Sequence, residues 1–134
     1  MNRWLLAGGL AVAALLAAAY GCSESAATVS GTVTYRERIA LPPDAVLEVA
    51  LVDVSRADAP AKVLGRQAIE SPGQVPISFV IEYDPADIQA NHTYAVQARI
   101  REGDDLRWVS TEAYLVITDD RPAQVDMVLR AVGE

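Results

Sequence analysis

From Val29 onward the apolar side chains recur with a period of two, a rhythm that strands satisfy and amphipathic helices do not. Val29, Gly31, Val33 and Tyr35 alternate with Ser30, Thr32, Thr34 and Arg36. The clearest case is Tyr94, Val96, Ala98 and Ile100 set against Gln97, Arg99 and Arg101. Ile77, Phe79, Ile81 and Tyr83 share one face, with Ser78 and Glu82 on the other. Val46–Val54 is nearly all apolar, as a central strand requires, and Val63–Ile69 is a weaker run that contains Gly65. Leu106–Ser110, Ala113–Thr118 and Val125–Val132 complete the set. Prolines and turn formers separate the runs at Leu41–Ala45, Ser71–Gln74, Glu102–Asp105 and Asp119–Pro122. No helical stripe of ten residues is present, although Ala57–Ala61 and Pro85–Ala90 can each hold a single turn. The pattern predicts an all-β domain over residues 29–134. Its expected form is an antiparallel β-sandwich of seven or eight strands, immunoglobulin-like or transthyretin-like, with little or no helix beyond the N-terminal segment.

That N-terminal segment has a different character. Arg3 precedes an uncharged apolar run, Trp4–Ala19, and Ala19-Tyr20-Gly21 then leads to Cys22, the one cysteine of the chain. A small residue before a cysteine at the end of a short apolar run is how a bacterial lipoprotein signal is built. On this reading residues 1–21 are a signal peptide cut between Gly21 and Cys22, and Cys22 carries diacylglycerol with acyl chains such as palmitate. Two alternatives stay open: ordinary secretion, and an uncleaved anchor, for which the run is short of the roughly 20 residues of a spanning helix. Residues 22–28 form the lipidated cysteine and a polar tether, whose six residues Ser23–Thr28 reach roughly 20 Å at most. Serine after the cysteine is associated with sorting to the outer membrane of a Gram-negative bacterium, with the domain facing the periplasm.

Composition narrows the chemistry. Removing 21 of 134 residues leaves 113, enough for one domain. That portion carries ten Lys and Arg against 18 Asp and Glu, a balance that argues against nucleic acid as a partner. With Cys22 lipidated, no thiol remains for a disulfide or thiolate metal site. His92, the one histidine, lies in Asn91-His92-Thr93 between a turn and a strand and is expected to be a solvated loop residue. No G-x-S-x-G elbow accompanies it, so no catalytic residue is assigned and an enzyme is not expected. Asp104-Asp105 and Asp119-Asp120 lack the spacing of a calcium loop and read as turn carboxylates, so neither metal nor cofactor is expected.

Two structural or contact sites are indicated. Ile88 precedes Tyr94 by six residues, a spacing similar to the tyrosine corner of β-sandwiches; a tyrosine that only fills core space is the other reading. Trp108 beside Arg107 is a candidate partner contact, since aromatic residues beside arginine often anchor interfaces, while burial in the core is the alternative.

The region from Val29 to Leu129 also resembles the YbaY and YscW family of small bacterial lipoproteins, the type III secretion lipoprotein chaperones or pilotins. The resemblance is carried by Gly31-Thr32-Val33, Leu41-Pro42-Pro43-Asp44-Ala45, Asp53-Val54-Ser55 and Asp58-Ala59. It continues through Pro76-Ile77-Ser78-Phe79, Tyr83-Asp84, Tyr94-Ala95-Val96 and Ala98-Arg99-Ile100. It implies a compact β-domain on an outer-membrane lipid anchor. The expected function is a non-enzymatic envelope accessory or chaperone module that binds another protein, pilotin-like toward a secretin in its sharper form. The alternative is a small-ligand or glycan-binding envelope lipoprotein.

Overall fold

A computed structural model describes residues 26–133. Gly21, Cys22, the signal segment and most of the tether lie outside them. Eight strands account for the described chain: β1 (Ala27–Tyr35), β2 (Ala45–Asp53), β3 (Lys62–Glu70), β4 (Ile77–Tyr83), β5 (Tyr94–Glu102), β6 (Asp105–Val109), β7 (Tyr114–Val116) and β8 (Gln124–Ala131). Among the described residues the single helical element is a 3-10 turn at Pro85–Asp87, its first amide capped by Asp84, within the Pro85–Ala90 stretch. Every expected run forms a strand, and Ala113–Thr118 departs most: it keeps three residues because Ile117 turns to φ +74°.

Period-two alternation becomes one-sided burial. In β4, Ile77, Phe79 and Ile81 are buried while Ser78, Val80 and Glu82 face outward. The inward residues of β2 and β5 (Leu47, Val49, Leu51, Val96, Ile100) meet Val29 and Val33 of β1 and Met127 and Leu129 of β8 in a single core. Tyr35 and Trp108 stack at 4.3 Å near the far end of that core. Burial of this kind contributes about 1.5–3 kcal/mol per large apolar side chain and supplies most of the stability.

The expected sandwich of two antiparallel sheets is corrected in two respects. The strands form one path, β3-β2-β5-β6-β8-β1-β4, with β7 also on β5, rolled until β3 lies beside β4. The link is β6, which pairs with β5 on one side and with β8 on the other through Trp108↔Ala131 and Val109↔Arg130. Second, β8 runs parallel to β1, with Ser30↔Gln124 through Tyr35↔Leu129, because the chain crosses from β7 before β8 begins. The side-chain period is two in either direction, so hydropathy carried no sign of it.

Two glycines permit the close approaches this roll needs. A Cβ on Gly31 would lie 1.6 Å from the carbonyl oxygen of Val125 in β8. A Cβ on Gly65 would lie 2.3 Å from that of Glu82, where the backbones of β3 and β4 meet.

Candidate functional site

Strand direction sorts the connections between two ends. Ala27 pairs with Tyr83, Asp53 with Tyr94, and Tyr94 with Val116. The start of β1 therefore lies at the same end as the β2–β3, β4–β5 and β7–β8 connections. Those three connections are tied together there. Asp53 Oδ1 accepts from the Ser55 N–H (2.9 Å) and the Ser55 hydroxyl (2.6 Å), and Oδ2 lies 2.6 Å from His92 Nδ1. The Thr93 N–H donates to Ser55 Oγ (2.9 Å), and the Thr118 hydroxyl donates to the His92 carbonyl (2.8 Å). Desolvation pushes the Asp53 carboxyl up, but hydrogen bonds from Ser55 and His92 outweigh it and hold its pKa at about 2.

His92 is thus corrected from a solvated loop residue to a half-buried partner of Asp53. Sequence distance hid the pair, since the two residues are 39 positions apart. The serine, histidine and aspartate do not form a nucleophilic triad. The Ser55 hydroxyl donates its hydrogen bond to Asp53, and among the described residues no hydrogen bond joins it to His92. The chemistry available here is that of a lock between loops.

Tyr94 belongs to the same end and is fully buried. Its hydroxyl accepts from the Gln89 N–H at 2.9 Å and lies 3.5 Å from the Asp87 carbonyl, bonding backbone upstream as a tyrosine corner does. Ile88 is partly buried against the core beside it. Across from Ile88 the β7–β8 connection is strained: Ile117, Asp119 and Asp120 have φ of +74°, +59° and +63°. A β-branched residue at positive φ is uncommon, and here the Thr118 N–H closes a γ-turn on the Val116 carbonyl at 2.9 Å. Asp119 pairs with Arg121 at 3.3 Å. Among the described residues no group of three or more His, Cys, Asp or Glu side chains could hold a metal ion.

The Arg107–Trp108 pair divides. Trp108 is 2% exposed, stacks on Tyr35, and directs its indole N–H at Glu37. As a partner anchor it is therefore corrected to a core residue. Arg107 stays on the surface, 3.8 Å from Glu102. On the outer face of β2 and β5, Glu48 is shared by Arg99 (2.6 Å) and Arg101 (3.2 Å), and the Arg101 hydrogen bond is the main reason its carboxyl is shifted down.

Three polar residues that composition did not single out complete the sheet where its ladders stop. The Ser110 hydroxyl accepts from the Ala98 N–H (3.1 Å). Gln67 Oε1 accepts from the Val80 N–H (2.9 Å) across the β3–β4 gap. The Tyr114 hydroxyl accepts from the Val128 N–H (3.0 Å) and donates to the Val128 carbonyl (3.1 Å) across the β7–β8 gap. Next to that second gap a groove of about 270 Å³ is lined by Arg36, Glu37, Glu112 and residues 128–131.

Comparison with known proteins bears on the whole domain. The sequence model of the YscW family, described as type III secretion system lipoprotein chaperone, matches residues 24–129. The uncharacterized lipoprotein YbaY of Escherichia coli K12 is 48% identical over 90 residues, 66% of this chain and 47% of that protein. The matched part thus spans about half the length of that relative. The solved structure of an alternative pilotin from the type II secretion system of Vibrio cholerae superposes with a TM-score of 0.78 at 44% identity. It covers 81% of this chain and 99% of the pilotin chain.

Proposed function

This chain belongs to the YscW family of type III secretion system lipoprotein chaperones, and from that premise we propose that it is a lipid-anchored, non-enzymatic accessory that binds another envelope protein. A pilotin-like role toward a secretin is the sharper form of the same reading. Cys22 is the lipidated residue, with cleavage after Gly21, and the outer membrane is the site of attachment, the domain facing the periplasm. One observation carries the reading: the likeness to a solved pilotin runs through nearly all of the strand domain at substantial identity. The entry of the chain supports it. Strand β1 opens at Ala27, five residues beyond Cys22, so the domain hangs within roughly 17 Å of the anchor. The end locked by Asp53 and His92 is then the one nearest the bilayer, and the sides of the barrel are left free for a partner.

Two or more acyl chains hold a protein firmly to a membrane, whereas one binds only marginally, at about 0.8 kcal/mol per buried methylene. Replacing the attachment sulfur should therefore release the domain. The Cys22→Ser variant is expected in the soluble periplasmic fraction, and the wild-type mature chain is expected to begin at an acylated Cys22 by mass spectrometry. Sedimentation of the variant with envelopes, unchanged from wild type, sinks the anchoring and with it the accessory role.

A further inference from the structure

Strand β1 enters the barrel between two neighbours, antiparallel β4 on one side and parallel β8 on the other. At the end locked by Asp53 and His92, the chain leaving β4 and the chain approaching β8 stand apart and enclose a groove of about 520 Å³. Tyr83, Pro85, Ile88 and Ala90 form one wall, and residues 117–120 form the other. The first wall begins at the residue paired with the start of β1, Tyr83 opposite Ala27. The chain that precedes Ala27 therefore departs from the mouth of this groove. Neither neighbour can carry its ladder much farther. Pro85 and Pro122, two residues beyond the ends of β4 and β8, lack the N–H groups that further pairing would need.

The groove is apolar where its walls meet the core. Tyr83, Ile88 and Ile117 pack on the core while only partly buried, with one side left to the groove. Ile117 holds φ +74°, a conformation that suits glycine or asparagine and strains a β-branched residue. Local preference alone would not put isoleucine there, and what it adds at that point is apolar surface. The buried Thr118 hydroxyl is already spent on the His92 carbonyl. Four exposed carboxylates, Asp84, Asp87, Asp119 and Asp120, lie in the same two segments.

We propose that this groove seats the anchor of the chain itself: Cys22 with the thioether sulfur, glyceryl carbons and first methylenes of its lipid, brought back by residues 23–26. The inference rests on the lipidation reading above and adds to it the surface that receives the lipidated residue. Ala27 stands within about 5.5 Å of Tyr83 across the antiparallel pair. The five residues back to Cys22 span up to roughly 17 Å, enough to reach along a groove that opens beside them. The far methylenes stay in the bilayer, because an open groove shields less apolar surface than the bilayer interior does. A bare bilayer surface fits less well, since the four carboxylates would be brought against anionic head groups. Two copies joined through the groove would set the same carboxylates against each other. Seated in this way, the barrel is held by its locked end in one orientation, and a partner meets its sides at a set height above the membrane.

The test uses the full lipidated chain in vesicles of phosphatidylethanolamine and phosphatidylglycerol, with Ser25→Cys adding one free thiol. Its reaction with a water-soluble maleimide is timed in that background and in combination with Ile117→Asn or Ala90→Arg. Asparagine accepts the positive φ and removes the apolar wall, while arginine at exposed position 90 fills the groove from the surface. Each is expected to leave the thermal transition within a few degrees, and a variant that does not is set aside for the other. Labelling is expected to be about fivefold slower with the intact groove than with either variant, the factor for a segment docked about four-fifths of the time. Amides of residues 88–90 and 117–120 are expected to exchange more slowly in the lipidated chain than in the Cys22→Ser chain. Failure of the lipidated chain to float with the vesicles overturns anchoring and docking together. Flotation with equal labelling rates overturns the docking and leaves the anchor standing. Slowed exchange that appears in the Cys22→Ser chain on adding vesicles, or on raising its concentration, assigns the groove to the bilayer or to a second copy and also overturns the proposal.

Discussion

Two strand contacts of this barrel lie outside the hydrogen-bonded path, β3 against β4 at its two ends and β7 against β8 beside it, and they are closed by different means. Between β3 and β4 the backbones touch: Gly65 has no Cβ to hold the Glu82 carbonyl away, and Gln67 supplies the Val80 N–H with its missing acceptor. The same gap is tied at its end, where Asp53 ahead of β3 grips His92 beyond β4. Between β7 and β8 a single tyrosine hydroxyl spans the opening, and a groove lies beside it. The first arrangement relies on backbone contact and on a half-buried carboxylate–imidazole pair. The second leaves the backbone of β8 at Val128 held by one side-chain hydroxyl beside open space.

The largest effect is expected where backbone meets backbone. Gly65→Ala places a methyl 2.3 Å from a carbonyl oxygen that belongs to a strand and cannot swing aside. A loss of about 3 kcal/mol or more in denaturant unfolding is expected, or failure to fold. A loss under about 1 kcal/mol would show that β3 and β4 can part as easily as β7 and β8, and the contrast between the gaps would collapse.

A smaller effect is expected at the lock. The Asp53 carboxyl is held at about 2 against a usual 3.8, so its folded pKa lies below its unfolded one. The stabilisation it gives is complete above about pH 4 and is lost as pH falls toward 2; it amounts to at most about 2 kcal/mol. Denaturation midpoints measured across that range should fall more steeply for the wild type than for Asp53→Asn. Parallel curves would mean that Asp53 and His92 do not tie this end of the β3–β4 gap.

The strands were legible because most of them bury one face, and burial of one face writes a period of two into the sequence. Tyr94 through Arg101 and Ile77 through Tyr83 needed nothing more. The direction of β8 was not legible, since parallel and antiparallel neighbours impose the same alternation on Val125, Met127 and Leu129. Nor was the rolling of the sheet, which depends on β6 sharing its two edges through Trp108 and Val109. Trp108 looked like an interface residue from its neighbour Arg107, but burial follows the face of the strand and not the adjacent residue. Asp53 with His92, and Tyr114 with Val128, are pairings of distant segments that local pattern cannot express. Gly21 and Cys22, the most informative residues in the sequence, lie outside the described residues and were readable only there.

Tyr114 provides the finest test of the contrast. Tyr114→Phe removes one hydroxyl and no apolar surface, so the core is untouched and both backbone groups of Val128 lose their partner. Were this gap as dry as the β3–β4 contact, stranding a donor and an acceptor together would cost well over 2 kcal/mol. Val128 is only partly buried and borders the groove. Water therefore replaces the hydroxyl, and about 1 kcal/mol or less is expected. Hydrogen exchange of the Val128 amide should quicken about five- to tenfold, with core amides such as Ile81 unchanged. Gln67→Leu offers the matched measurement at the other gap, where loss of the acceptor for Val80 should quicken that amide less, because the backbones of β3 and β4 remain in contact beside it. Equal acceleration at Val80 and Val128 would place the two gaps on the same footing and remove the contrast between them.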